Sequence, residues 1–223
     1  MLYIVSTPIG NLKDITLRAL ETLKSVDLIA AEDTRHTGIL LKHYGIEKPL
    51  TSYFEHNQVR KADYLLGLLK EGKDVALVTD AGTPGISDPG FHIIRLAQEK
   101  EIPVTAIPGP TALIAALTLS GLPAHEFIFA GFLPVKSTVR RKKLEEFAGE
   151  KRTIIFYESP YRLAKTLKDI EEVLKNPTVV CVRELTKKFE EVKKGPSADL
   201  AEYFSKIKPR GEFVLLFNPH AGF

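Results

Sequence analysis

The sequence predicts an α/β protein of two α/β domains, and three observations carry the prediction. Its 223 residues suit one large domain or two small ones, each able to bury a core. Through the first half, short apolar strands alternate with helical patterns, the signature of a parallel sheet with crossover helices. After the turn-rich string GLPAHE (Gly121–Glu126), strand and helix patterns start again, so the boundary is expected between 1–120 and 121–223.

In the first half, Leu2–Ser6 reads as a strand, Thr16–Ser25 as a helix and Leu28–Ala31 as a strand. Helices follow over His36–His43 and Gln58–Glu71, with a short strand at Leu50–Ser52 between them. Asp74–Thr79 is a strand, Gly90–Lys100 a helix with Asp88 as its cap, and Val104–Ile107 a strand. The helix Thr111–Ser120 is apolar on nearly every side, which predicts burial between layers.

In the second half, strands are expected at Phe127–Gly131 and Thr153–Tyr157, with a helix over Thr138–Gly149 between them. Ser159 as cap and Pro160 as first residue open a helix whose Leu163, Leu167, Ile170 and Leu174 recur at helical spacing. Strands at Val179–Val182, Glu191–Lys194 and Glu212–Phe217 follow, with Ser197–Phe204 helical between the last two. Cys181, in a Val-rich strand, reads as a core residue.

Composition excludes several classes. A 44% hydrophobic share with 26% charged residues rules out a disordered or collagen-like chain. A single cysteine makes no internal disulfide, which points to a reducing, cytoplasmic setting. No apolar run nears the ~20 residues of a membrane span, and MLYIVSTPIG lacks the basic start of a signal peptide. The net charge of +3 divides unevenly: residues 1–120 carry −2 and residues 121–223 carry +5, so a polyanion would be steered to the second half.

Ligands of open α/β sheets gather at the carboxyl ends of strands. Four loops fall there: Ser6–Asp14, Ala31–Arg35, Asp80–Gly90 and Pro108–Pro110. The loop DAGTPGISDPG packs three glycines and two prolines into eleven residues, a stiff cradle whose backbone approaches a ligand closely. Neither G-x-G-x-x-G nor G-x-x-x-x-G-K-[ST] occurs, which disfavours dinucleotide and P-loop chemistry. The six histidines are scattered and no C-x-x-C exists, so no metal site is expected. In AEDTR, Asp33 or Thr34 is a candidate helix cap and Glu32 a partner for Arg35; the alternative is a polar mouth that positions or deprotonates a substrate.

The strings VSTPIGNLKDIT, AAEDTR, VTDAGTPGISDPG, IPGPTALIAAL, FYESPYR and GEFVLLF resemble the tetrapyrrole-methylase superfamily of S-adenosylmethionine-dependent enzymes. Within it they are most similar to members that 2′-O-methylate a cytidine in the decoding region of 16S ribosomal RNA. The resemblance implies a homodimer whose cofactor lies folded in a cleft between two α/β domains. It places Pro8, Gly82, Thr83, Pro84, Ile86, Thr111, Ala112 and Leu113 of the first domain and its border at the cofactor. It adds Phe156, Tyr157, Leu185, Thr186, Gly211 and Glu212 from the second. Many superfamily members have Gly-Asp-Pro where this chain has Gly82-Thr83-Pro84, so an acid contact is absent there.

A ribose hydroxyl is a poor nucleophile, and a nearby base would help it. Asp80 and Glu32 lead the candidates because both should end strands at the crevice, with Asp33 and Glu158 behind them. For the small-subunit RNA, phosphate contacts are expected from Lys136, Arg140, Arg141, Lys142, Lys143 and Lys187, with Arg35 and Arg162 inside the crevice. The rival classes are a sister enzyme acting on a tetrapyrrole or a modified protein histidine, and a non-catalytic RNA-binding module.

Overall fold

Short, strongly apolar strands need cover on both faces, and that requirement shapes the N-terminal half. The computed structural model describes residues 1–207 and 209–220. Strands β1 (Leu2–Val5), β2 (Leu28–Ala31), β3 (Leu50–Ser52), β4 (Val75–Val78) and β5 (Val104–Ile107) form one sheet in the order β3-β2-β4-β1-β5. Every pairing in it is parallel.

Helices α1 (Leu17–Ser25) and α2 (Thr34–His43) bury Ala19, Leu23, Leu40 and Leu41 with Val5, Ile29, Ala31, Ala76 and Val78. Helices α3 (Gln58–Lys70) and α4 (Phe91–Glu99) bury Ala62, Leu65, Leu69, Ile93 and Ala97 with Leu2, Ile4, Leu28 and Leu77. The alternate residues of β1, β2 and β4 therefore feed two cores, and all four residues of β2 and of β4 are buried.

The second unit carries a mixed sheet of β6 (Phe127–Phe132), β7 (Thr153–Glu158), β8 (Thr178–Arg183), β9 (Glu191–Pro196) and β10 (Phe213–Phe217). Its order is β6-β7-β10-β8-β9. Strand β6 runs parallel to β7, while β10 is antiparallel to both β7 and β8. Helices α6 (Ser137–Glu145), α7 (Leu163–Leu174) and α8 (Ser197–Lys206) cover one face over Ile154, Phe156, Cys181, Leu215 and Phe217. Cys181 is buried there, as its apolar neighbours predict, and burial pushes its thiol far above the usual range.

Helix α5 (Ala112–Ser120) packs against β10, β7 and β8. The chain therefore divides at Thr111/Ala112, nine residues before the expected boundary, because α5 supplies the second cover of the second sheet. The all-round burial expected of this helix is also corrected. Leu113, Ala116 and Leu117 are buried, whereas Ile114 and Leu119 are exposed.

Two helix starts differ from expectation. Helix α4 begins after Gly90, whose φ of 155° replaces the side-chain cap assigned to Asp88. A Cβ at Gly90 would lie 2.9 Å from the Gly85 amide nitrogen, so the loop closes back on itself there. Helix α7 begins at Leu163 rather than Pro160. Ser159 caps a separate turn first: its carbonyl accepts from the Arg162 and Leu163 amides at 3.0 Å, and its Oγ from the Tyr161 amide.

Candidate active site at the carboxyl ends of the strands

In the first unit the parallel strands bring all four predicted loops to one edge. The loop after β1 is tied to the loop after β4 by a two-way backbone bridge: Thr7 N donates to Gly82 O at 2.8 Å, and Gly82 N to Thr7 O at 3.1 Å. Thr7 Oγ1 donates to the Thr79 carbonyl at 3.0 Å, and the hydroxyls of Ser6 and Thr83 share a hydrogen bond of 2.9 Å. The loop after β5 presses on the same place, for a Cβ at Gly109 would lie 2.8 Å from Ser6 Cβ. Gly82 holds φ at 87°, a backbone conformation that side chains rarely adopt. Pro8 and Pro84 are buried within this frame, while Ile86 is exposed. The cradle is stiff before any ligand arrives, which lowers the ordering cost of binding.

Beside it lies an acidic corner. Glu32 follows β2 and Asp80 follows β4, and those strands are adjacent. Glu32 Oε2 accepts from Thr79 Oγ1 at 2.5 Å and from the Asp80 amide at 3.3 Å. Asp80 Oδ1 accepts from the Asp33 amide at 3.1 Å. Burial, and then the charge of Glu32, push the Asp80 carboxyl above its ordinary value.

Glu32 does not pair with Arg35, contrary to expectation. Asp33 takes that role: it caps α2 by accepting from the Arg35 amide at 2.8 Å and binds the guanidinium at 2.6 Å. The Arg35 guanidinium and amide hold the Asp33 carboxyl far below the usual carboxylate range. A carboxylate so engaged is a helix cap and a weak base, which argues against the proton-accepting role expected of Asp33.

The second unit has an edge of its own. Strands β6, β7 and β8 are mutually parallel in direction, so the segments after Phe132, Glu158 and Arg183 meet the start of β10 at one end. Glu158 is fully buried there, accepting from Arg162 at 2.6 Å, the Ser159 amide at 2.7 Å and Thr166 Oγ1 at 2.6 Å. Its oxygens are committed to holding the turn, which corrects the expectation of a base. Arg162 likewise serves Glu158 and the Leu133 carbonyl.

At the same end, Glu184 accepts from Lys187 Nζ at 2.9 Å and from the Glu212 amide at 3.1 Å. Burial raises the Glu184 carboxyl, but Lys187 and the Glu212 amide outweigh it, leaving it below its ordinary value. Gly211, at φ 90°, leaves room for that side chain: a Cβ would lie 2.3 Å from Glu184 Oε1. Thr186 is held at φ 65°, and its Oγ1 is buried without a hydrogen-bond partner among the described residues. An orphaned hydroxyl on a constrained loop fits a polar group of a ligand. Phe156, Leu185 and Leu113 are buried in packing, so their side chains are core, whereas Tyr157 is half-buried and Glu212 exposed.

The basic group divides in two. Arg140 is 3% exposed and bonds Asp169 at 2.6 Å and the carbonyls of Pro134 and Val135. Arg141 joins Asp169 and Glu172, Lys143 pairs with Glu146, and Lys187 bridges Glu184 and Glu212. Arg140 is thus part of the packed interior, and the other three are engaged in ion pairs at or near the surface. Lys136 and Lys142 are exposed and form no ion pair among the described residues. The reading of consecutive cations as one surface missed Asp169 and Glu172, acids on the facing helix. It also passed over Thr79, whose place as the last residue before Asp80 was its only signal.

A parallel sheet covered by helices, with four loops at its carboxyl edge, is followed by a second unit built on a mixed sheet. The family model described as Tetrapyrrole (Corrin/Porphyrin) Methylases matches residues 1–201, and the chain belongs to that family. Solved structures share the fold: the methyltransferase CobJ superposes with a TM-score of 0.72 at 18% identity, covering 97% of this chain and 93% of that one. A uroporphyrin-III C-methyltransferase from Thermus thermophilus, complexed with S-adenyl homocysteine, gives 0.67 at 20% identity and covers 98% and 97%. Similarity in sequence is far higher to proteins named ribosomal RNA small subunit methyltransferase I. That of Escherichia coli O157:H7 is 51% identical over 222 residues, 98% of this chain and 78% of the relative. That of Thermotoga maritima is 48% identical over 217 residues, 97% of both chains. Among the described residues, no helix is long and apolar enough to cross a membrane, and no group of three metal-ligating side chains occurs.

Proposed function

We propose that the chain is a cytoplasmic, S-adenosylmethionine-dependent methyltransferase that methylates the 2′-hydroxyl of a cytidine in 16S ribosomal RNA within the small ribosomal subunit. About 50% identity to proteins named for small-subunit RNA methylation, over nearly the whole chain, is the observation that carries this reading.

The residues fit the cofactor. Carboxylates of Glu32 and Asp80 suit a cationic sulfonium, and the braced Gly82–Pro84 loop suits its amino-acid part. When bound, S-adenosylmethionine supplies an electrophilic methyl group. The protein's own part is to align the ribose hydroxyl, exclude water and accept a proton. Asp80 is the favoured base, since burial raises its proton affinity above the ordinary carboxylate value and Oδ1 is already fixed by the Asp33 amide. Glu32, held by Thr79, stands beside it.

A homodimer is proposed as well, with the exposed Ile114 and Leu119 of α5 as apolar surface that a second copy would cover. Light scattering of the purified chain tests it: a monomer would contradict it. For the activity, labelled S-adenosylmethionine is offered with unmodified small subunits and, separately, with uroporphyrinogen. Label is expected in RNA alone. Label in the tetrapyrrole would transfer the chain to the sister class.

A further inference from the structure

Among the described residues Tyr161 is the most exposed large hydrophobic side chain, at 92%, yet its backbone lies in a hydrogen-bonded turn. The Ser159–Arg162 turn beneath it is fixed by Ser159 Oγ on the Tyr161 amide and by Arg162 on buried Glu158 and the Leu133 carbonyl. The ring makes no aromatic contact among the described residues. Arg162's bond to Leu133 also joins this turn to the end of the neighbouring strand β6, where Phe132 is 56% exposed and stacks edge-on against Tyr157. Two rigidly mounted aromatics thus reach solvent at one end of the second sheet.

The segments that carry them are basic, and the nearest acids, Glu158 and Asp169, are buried in ion pairs. Residues 132–143 and 159–168 contain eight Lys and Arg and no Asp or Glu. After the arginines and Lys143 are assigned to their ion pairs, Lys136, Lys142, Lys165 and Lys168 remain exposed, without an ion pair among the described residues. Aromatic faces set among free cations are the surface on which single-stranded nucleic acid binds, since every base has a face to stack and every linkage a charge.

We infer that Tyr161 stacks on an unpaired base of the RNA substrate, with Phe132 as a second apolar contact and Lys136 and Lys165 on the flanking phosphates. The inference rests on the RNA reading above. It goes beyond it by assigning the contact that selects an unpaired strand over a duplex, whose bases are already stacked on one another.

The test uses the intact protein and a short single-stranded RNA carrying 2-aminopurine. Wild type should bind it and quench the probe. Tyr161→Ala should bind about tenfold more weakly with quenching lost, while Tyr161→Phe retains both. With small subunits as substrate, Tyr161→Ala should raise KM and change kcat little. Affinity for S-adenosylmethionine and the melting temperature should not move. Lys136→Glu and Lys165→Glu should each lower the slope of log affinity against log salt by about 1.

Wild-type affinity and quenching in Tyr161→Ala would overturn the inference. So would a change of oligomeric state in that variant, which would place the ring between copies. A wild type that methylates small subunits while Tyr161→Ala does so with unchanged KM also refutes the stack and leaves the RNA reading intact. A wild type that neither binds the RNA nor methylates small subunits refutes the RNA reading itself, before any variant is made.

Discussion

Thr79 donates its hydroxyl to Glu32 Oε2 at 2.5 Å, across adjacent parallel strands, while the amide of the next residue, Asp80, reaches the same oxygen. One threonine thereby sets where the two leading acids stand. Thr79 is a positioning residue: it is 2% exposed and touches Glu32, not a ligand. Thr79→Val keeps its shape and removes the donor. Methyl transfer should fall about ten- to a hundredfold while S-adenosylmethionine affinity measured by calorimetry holds, and the pH profile should move because Asp80 feels a displaced charge. An unchanged rate and profile would detach Thr79 from the site.

Asp80 has a folded-state pKa above its ordinary value, so its ionisation works against the fold. Its favourable contribution is full at acid pH and is lost as pH rises through the folded value. Asp80→Asn should therefore melt at or above the wild-type temperature at neutral pH, yet lose at least about a hundredfold in methyl transfer. The wild-type rate should climb with pH as Asp80 gives up its proton and then level. Loss of both stability and activity would show a structural role instead.

Gly82 combines a φ of 87° with a backbone bridge to Thr7. Gly82→Asp strains that backbone by about 1–2 kcal/mol and aims a side chain at Ile9 and the Pro110 carbonyl, where the loops meet. Calorimetry should show cofactor affinity reduced at least about tenfold, since each 1.4 kcal/mol is a factor of ten. Undiminished affinity would remove the loop from the cofactor site.

Arg140 and Lys142 lie two residues apart and should behave as opposites. Arg140→Met leaves Asp169 buried and short of a partner, at a cost of about 3–5 kcal/mol seen in denaturant melts, with the salt dependence of RNA binding unchanged. Lys142→Ala should leave stability unchanged and reduce the salt slope by about 1. Reversal of that pattern would restore Arg140 to the RNA surface.

Most strands and helices were legible because short apolar runs alternate with helical patterns, and Asp33 offers a cap where its helix begins. The gathering of the four loops was legible too, since parallel strands leave their carboxyl ends together. What escaped depends on partners distant in sequence. Helix α5 reads as the end of one domain and is the lid of another sheet. Arg140 reads as surface until Asp169, on the facing helix, is placed against it. Glu158 reads as a free acid beside an aromatic pair, and only the fold shows Arg162, Thr166 and the Ser159 amide around it. Charge and residue type announce these groups, but whether a charge is paired is decided by packing.

Position-resolved mapping of 2′-O-methylation tests the central claim most directly. Unmodified small subunits are incubated with S-adenosylmethionine and either the wild-type chain or Asp80→Asn, and the 16S RNA is then read nucleotide by nucleotide. The account predicts one new ribose methyl, on a cytidine of the decoding region, with wild type and its near absence with Asp80→Asn. A methyl on a base, on another nucleotide, or on no RNA at all would contradict it.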